Sequence, residues 1–135
     1  MNTLSKKEEL TIRVILKDTY EVKTESALAR MVLFTGKCDC DNFKGKILGG
    51  AVDTQQMKNA KALSLSARYI LEGVDKDGEP CRIFIENNGL ADEDPIKTKP
   101  IILTDSRGLS YLNNAELEGE VENCKDGVII RIYQI

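Results

Sequence analysis

The chain has 135 residues, of which 41% are hydrophobic and 30% charged, with a formal net charge of -3 and a pI near 5.1. That length suits one hydrophobic core, so one domain over 1–135 is expected, and the composition lacks the signature of disorder. The acidic balance argues against nucleic acid as a partner; no apolar run reaches the roughly 18 residues of a membrane span, and no apolar h-region marks a secretory signal, so the cytoplasm is the expected address.

In chain order, hydrophobic alternation of period two dominates, and no window carries a sustained helical apolar stripe. Leu10, Ile12, Val14 and Leu16 form the apolar face of a first strand. Met31 to Cys40 and Lys44 to Leu48 flank Asp41-Asn42, a hairpin turn, and Gly49-Gly50 breaks the second of these strands. Ala51 to Met57 suits an extended segment, while Gln55 to Leu63 also suits a short helix. Leu65 to Glu72 and Cys81 to Asn87 form the clearest hairpin, joined through Asp75-Lys76-Asp77-Gly78.

The register of that hairpin follows from charge. Placing Glu72 opposite Arg82, Ile70 opposite Phe84 and Arg68 opposite Glu86 aligns opposite charges on one face. The other face then carries Leu71 with Ile83, Tyr69 with Ile85 and Ala67 with Asn87, and a slip of one residue would mix the two sets. Asn88 to Pro100 is expected to be the one long irregular segment, a connection over one barrel end or a lid. Near the C-terminus, Glu116, Glu118, Glu120 and Glu122 alternate with Ala115, Leu117, Gly119 and Val121; desolvation keeps the glutamates in water. After Lys125-Asp126-Gly127, the strand Val128 to Ile132 pairs back, with Glu118 expected opposite Arg131. Short strands at this spacing predict an all-β, antiparallel, closed or nearly closed barrel, in which closure removes exposed edges.

The ordered segments Phe34-Thr35-Gly36, Gly45 to Asp53, Ala67-Arg68-Tyr69, Asp77-Gly78, Asn87-Asn88-Gly89, Tyr111-Leu112-Asn113 and Val128 to Tyr133 span most of the chain from about Leu10 onward. Together they resemble the domain of unknown function 3237 family, also called uncharacterised protein family 0311. The resemblance implies a small antiparallel barrel, lipocalin-like in general shape, with no established activity. Where that family often carries an aromatic residue directly after the aspartate of the Gly-Gly segment, this chain has Thr54, so stacking by such a ring is in doubt.

The chain contains no histidine, which excludes Ser-His-Asp and Cys-His machinery and imidazole-based zinc sites; no cofactor is expected, since no phosphate-cradling glycine run is present. Of Cys38, Cys40, Cys81 and Cys124, the first two would stand about 6.5 to 7 Å apart on a strand, at the strained limit for a bridge, and a metal site would need the distant pair to converge. Packed, free thiols and no metal are expected.

The ligand-binding candidates are Asp53, Tyr69, Asn87, Tyr111 and Asn113. Asp53 follows the strand break and projects into a barrel mouth, unless it only bonds turn backbone. Tyr69 and Asn87 are polar groups on the inward face, which orient a ligand or satisfy each other or a buried water. Tyr111 and Asn113 come from the family motif, with a simple turn as the alternative. Three functions follow: a barrel binding a small apolar or amphipathic molecule, a cofactor-independent isomerase or cyclase using a carboxylate, and a side-chain-filled structural barrel that forms a homo-oligomer through Ile15, Ile70 or Phe84.

Overall fold

The computed structural model describes residues 6–59 and 61–135. Nine strands, β1 (Lys7–Lys23), β2 (Ala27–Asp39), β3 (Phe43–Ile47), β4 (Val52–Lys58), β5 (Ser64–Asp75), β6 (Pro80–Leu90), β7 (Ile96–Thr104), β8 (Leu117–Cys124) and β9 (Gly127–Gln134), form one antiparallel sheet. A 3-10 turn, Ser110–Asn113, lies between β7 and β8. Apart from β3 and β4, strands consecutive in sequence pair with each other, and β1 pairs with both β2 and β9, which closes the sheet into a barrel.

β3 and β4 act as one interrupted strand, because both lie antiparallel between β2 and β5. The interruption falls at Gly49-Gly50, where Gly50 has φ +94°, a conformation that a side chain disfavours. Backbone bonds from Leu48 N to Ile70 O and from Phe34 N to Ala51 O hold the two halves in place across the break.

The β5–β6 hairpin adopts the register that charge predicts: Glu72 faces Arg82, Arg68 faces Glu86, and Ala67 faces Asn87. Arg82 donates from Nε and Nη2 to Glu72 Oε2 at 2.9 and 2.7 Å, while Tyr69, Leu71, Ile83 and Ile85 are buried on the opposite face. Asp75 closes the hairpin, with its Oδ1 accepting from the backbone N–H groups of Asp77 and Glu79.

Three expectations are corrected. The segment 55–63 forms no helix over its described residues: β4 continues to Lys58, because pairing with β2 and β5 satisfies its backbone on both sides, and Ala60 lies outside the described residues. Asn88 to Pro100 is mostly strand, with Asn88 opposite Lys99 and Gly89 opposite Thr98, so the irregular part shrinks to Ala91–Pro95 at a hairpin tip. Glu118 faces Tyr133, while Arg131 faces Glu120 and donates to Glu122 at 2.7 Å. A two-residue turn at Lys125-Asp126 causes this shift of two positions, which leaves every side chain on its expected face. The glutamates therefore point outward, and Lys97 reaches Glu120 at 2.7 Å.

The two rims differ. The connection after β7 folds under one rim, carrying the fully buried Leu109 and Leu112 into a core with Leu10, Phe43, Leu71 and Ile83. Hydrogen bonds pin it to strand ends: Ser106 Oγ donates to Asp75 Oδ2 at 2.6 Å, and Asn113 Oδ1 accepts from Thr104 N at 2.7 Å. The other rim, made by the β1–β2, β4–β5, β6–β7 and β8–β9 turns, has no such plug among the described residues.

Candidate functional site

Because inward side chains alternate along each strand, the half of the barrel away from the plug is lined by Val14, Val32, Ala67, Val128 and Ile130, aliphatic side chains that leave space between them, with Phe34 beside them. The result is a cavity of about 540 Å³, within the usual range for small-molecule sites. Thr19, Arg30, Gln55, Leu63, Ala91 and Asn123 ring its mouth at the unplugged rim. The lumen is thus not filled by side chains, as one sequence reading allowed.

Three polar residues face this apolar space from different strands: Asp53 on β4, Asn87 on β6 and Thr98 on β7. Asp53 Oδ1, Asn87 Oδ1 and Thr98 Oγ1 are all buried without a protein hydrogen-bond partner. Gly119 on β8 explains how two of them fit: a Cβ there would stand 2.2 Å from Thr98 Oγ1 and 3.6 Å from Asn87 Oδ1. Glycine leaves the room that these oxygens occupy.

Asp53 sits within a paired strand, opposite Val32 and Ala67, and not in a turn. Its Oδ2 accepts from Gln55 Nε2 at 2.8 Å; Gln55 Oε1 in turn accepts from Arg30 Nη1 at 3.0 Å, and Arg30 Nε donates to Glu21 at 2.9 Å. Arg30 is therefore engaged on both sides. Burial pushes the Asp53 carboxyl above its ordinary value, against the opposing pull of the Gln55 amide and the backbone at Ser66.

Tyr69 is 3% exposed and packs edge-to-face on Phe34, with ring centroids 5.4 Å apart. Its phenol lies in the core beneath the cavity, has no protein partner, and is shifted up by burial. Tyr111 and Asn113 lie at the plugged rim, away from the cavity. Tyr111 donates to Glu9 Oε1 at 2.6 Å, Asn42 Nδ2 donates to the same oxygen at 2.9 Å, and Asn113 brackets the Thr104 backbone. The structure therefore joins Asp53 and Asn87 at one cavity, sets Tyr69 below it, and separates Tyr111 and Asn113 from it.

Thr98, Gln55, Arg30 and Gly119 escaped the sequence reading. Thr98 fell in the stretch read as irregular, whereas Gly119 carried a usable signal, a side-chain-free inward position between Leu117 and Val121. The four thiols are free; Cys81 starts β6 at the plugged rim and Cys124 ends β8 at the open one. Among the described residues, no group of three or more metal-ligating side chains converges, and no helix is long and apolar enough to cross a membrane.

These features define a class: a small antiparallel β-barrel, plugged at one rim, with an apolar lumen and a polar patch on its wall. The chain resembles uncharacterised protein family 0311, being 41% identical over 58 residues to a UPF0311 protein of Clostridium acetobutylicum. That alignment covers 43% of this chain and 34% of the relative, so the match spans about a third of the relative's length. No family model matches the chain.

Among solved structures, a protein with unknown function from Clostridium acetobutylicum superposes with a TM-score of 0.82 at 22% identity, over 98% of this chain and 99% of that one. An enzyme from Penicillium herquei gives 0.75 at 16% identity, over 100% and 98%. A beta-barrel like protein from Acinetobacter baumannii gives 0.72 at 21% identity, over 96% and 94%. At these identities the likeness shows the barrel fold alone.

Proposed function

We propose that the barrel binds a small, mainly apolar molecule in its lumen through a polar end that donates hydrogen bonds. The observation that carries this reading is the trio of buried oxygens, Asp53 Oδ1, Asn87 Oδ1 and Thr98 Oγ1, without protein partners around an apolar cavity. An unpaired buried polar atom costs about 1 to 3 kcal/mol, and a bound donor recovers part of that cost. A carboxylate head is disfavoured, because it would meet acceptors and the Asp53 carboxyl while Arg30 is occupied by Glu21 and Gln55. The favoured ligands are alcohols and amines on an apolar body.

Thermal-shift and native mass-spectrometric screening with matched pairs, such as octan-1-ol against octanoate, tests this reading. The alcohol should raise the melting temperature and the carboxylate should not. Asp53→Asn and Asn87→Ala should each weaken the alcohol about tenfold, the equivalent of one hydrogen bond. Equal responses to both compounds, or shifts indifferent to both substitutions, would count against the site.

A second reading, a cofactor-independent isomerase or cyclase, is favoured by one feature: Asp53 is a half-buried carboxyl on an apolar cavity with its proton affinity raised, the arrangement of a general acid or base. A fold neighbour, the Penicillium herquei protein, is an enzyme. Under this reading Asp53→Asn retains binding and loses turnover. Loss of binding alone would leave the carrier reading in place.

A further inference from the structure

The plugged rim brings two thiols together, away from the lumen. Cys38 lies near the end of β2 and is 1% exposed, whereas Cys40 lies just past the strand, where the chain bends into the β2–β3 turn, and is only partly buried. The bend brings together two thiols that a regular strand would hold about 6.5 to 7 Å apart at the backbone. Their sulfurs stand 3.5 Å from each other.

We propose that Cys38 and Cys40 form a redox-active dithiol that a peroxide converts into an intrachain disulfide. Cys40 is the attacking sulfur, since it is the accessible member, and Cys38 resolves the intermediate from the buried side. The Cys40 thiolate attacks one peroxide oxygen; the O–O bond breaks, an alcohol or water leaves with a proton, and Cys40 becomes a sulfenic acid. Cys38 then loses its proton as its sulfur attacks Cys40, the S–O bond breaks and water departs. Two thiols and one peroxide thus give one disulfide, one alcohol or water, and one water, with two electrons passing from sulfur to oxygen.

The electrostatics favour this division of labour. The hydrogen bond from Cys38 brings the Cys40 thiol down to about 6, while that same bond and burial hold Cys38 up. Closing the sulfurs from 3.5 Å to a bonding distance of about 2.05 Å draws Cys40 toward Cys38 just past the end of β2, where the backbone bonds Cys40 N to Phe43 O and Phe43 N to Cys40 O hold the start of the turn. Cys81 and Cys124, on opposite rims, serve as internal controls.

Stoichiometric hydrogen peroxide, followed by alkylation and non-reducing peptide mapping of the whole chain, tests the proposal. The expected result is a loss of two hydrogens in mass, a Cys38–Cys40 link reversed by dithiothreitol, and unchanged alkylation of Cys81 and Cys124. In Cys38→Ser, a sulfenic acid trappable by dimedone should accumulate on Cys40. On the unmodified chain, the iodoacetamide rate at Cys40 should level off above a pH of about 6. Four alkylatable thiols after treatment, a link through Cys81 or Cys124, or a Cys40 profile still rising beyond pH 8 would overturn it.

Discussion

Substituting Tyr111→Phe tests whether the plug, and not the ligand site, is where this tyrosine acts. The phenol donates at 2.6 Å to Glu9 Oε1, and the Glu9 side chain is fully buried, with its Oε2 unpartnered by hydrogen bonds. Removing the hydroxyl leaves Asn42 as the remaining side-chain donor to that carboxyl, with Lys7 Nζ 4.0 Å from the other oxygen. A hydrogen bond to a charged group contributes about 1.5 to 3 kcal/mol, so the loss should be about 2 kcal/mol. For a chain of this size that corresponds to a melting temperature lower by roughly 6 to 10 °C. Differential scanning calorimetry supplies the number, and ligand titration of the same variant should give an unchanged Kd. A melting temperature within about 1 °C of the parent, or a Kd weakened tenfold, would refute the reasoning.

Asp53→Asn should make the chain more stable near neutral pH while weakening its ligand. Because the folded-state proton affinity of Asp53 is raised, the native chain keeps a proton that the unfolded chain has released. Stability from this group therefore falls as pH rises from the unfolded value of about 3.9 through the raised folded value, and urea titrations across that window should show a flatter slope for the variant. Gly119→Ala should destabilise by about 1 to 3 kcal/mol, since the added Cβ would stand 2.2 Å from Thr98 Oγ1, and it should also reduce alcohol uptake; a variant with parental stability and affinity would show the floor to be loosely packed.

Legibility in the sequence varied with how strongly one face differs from the other. The β5–β6 register was readable because Glu72, Arg82, Arg68 and Glu86 select one pairing and the apolar residues between them select the same one. The β8–β9 register was not, since Arg131 finds a glutamate in either of two pairings that keep the same faces, and the length of the turn decides between them. Asn87 is legible as a polar residue at an inward position, and Asp53 as an acid a few residues past the Gly49-Gly50 break. Thr98 was hidden because Lys97, Lys99 and Pro100 make its neighbourhood look like a loop, although β6 and β8 hold that stretch as strand. Tyr111 and Asn113 carried a family motif, and a motif marks a plug as readily as a ligand site.

The most direct test of the luminal account is an amide NMR titration of the chain with octan-1-ol. Shifts should concentrate at Asp53, Asn87, Thr98, Val32 and Ile130, with Glu9, Tyr111 and Asn113 unmoved. Shifts confined to the outer residues Ile101, Leu103 and Met31, or none at saturating alcohol, would contradict it.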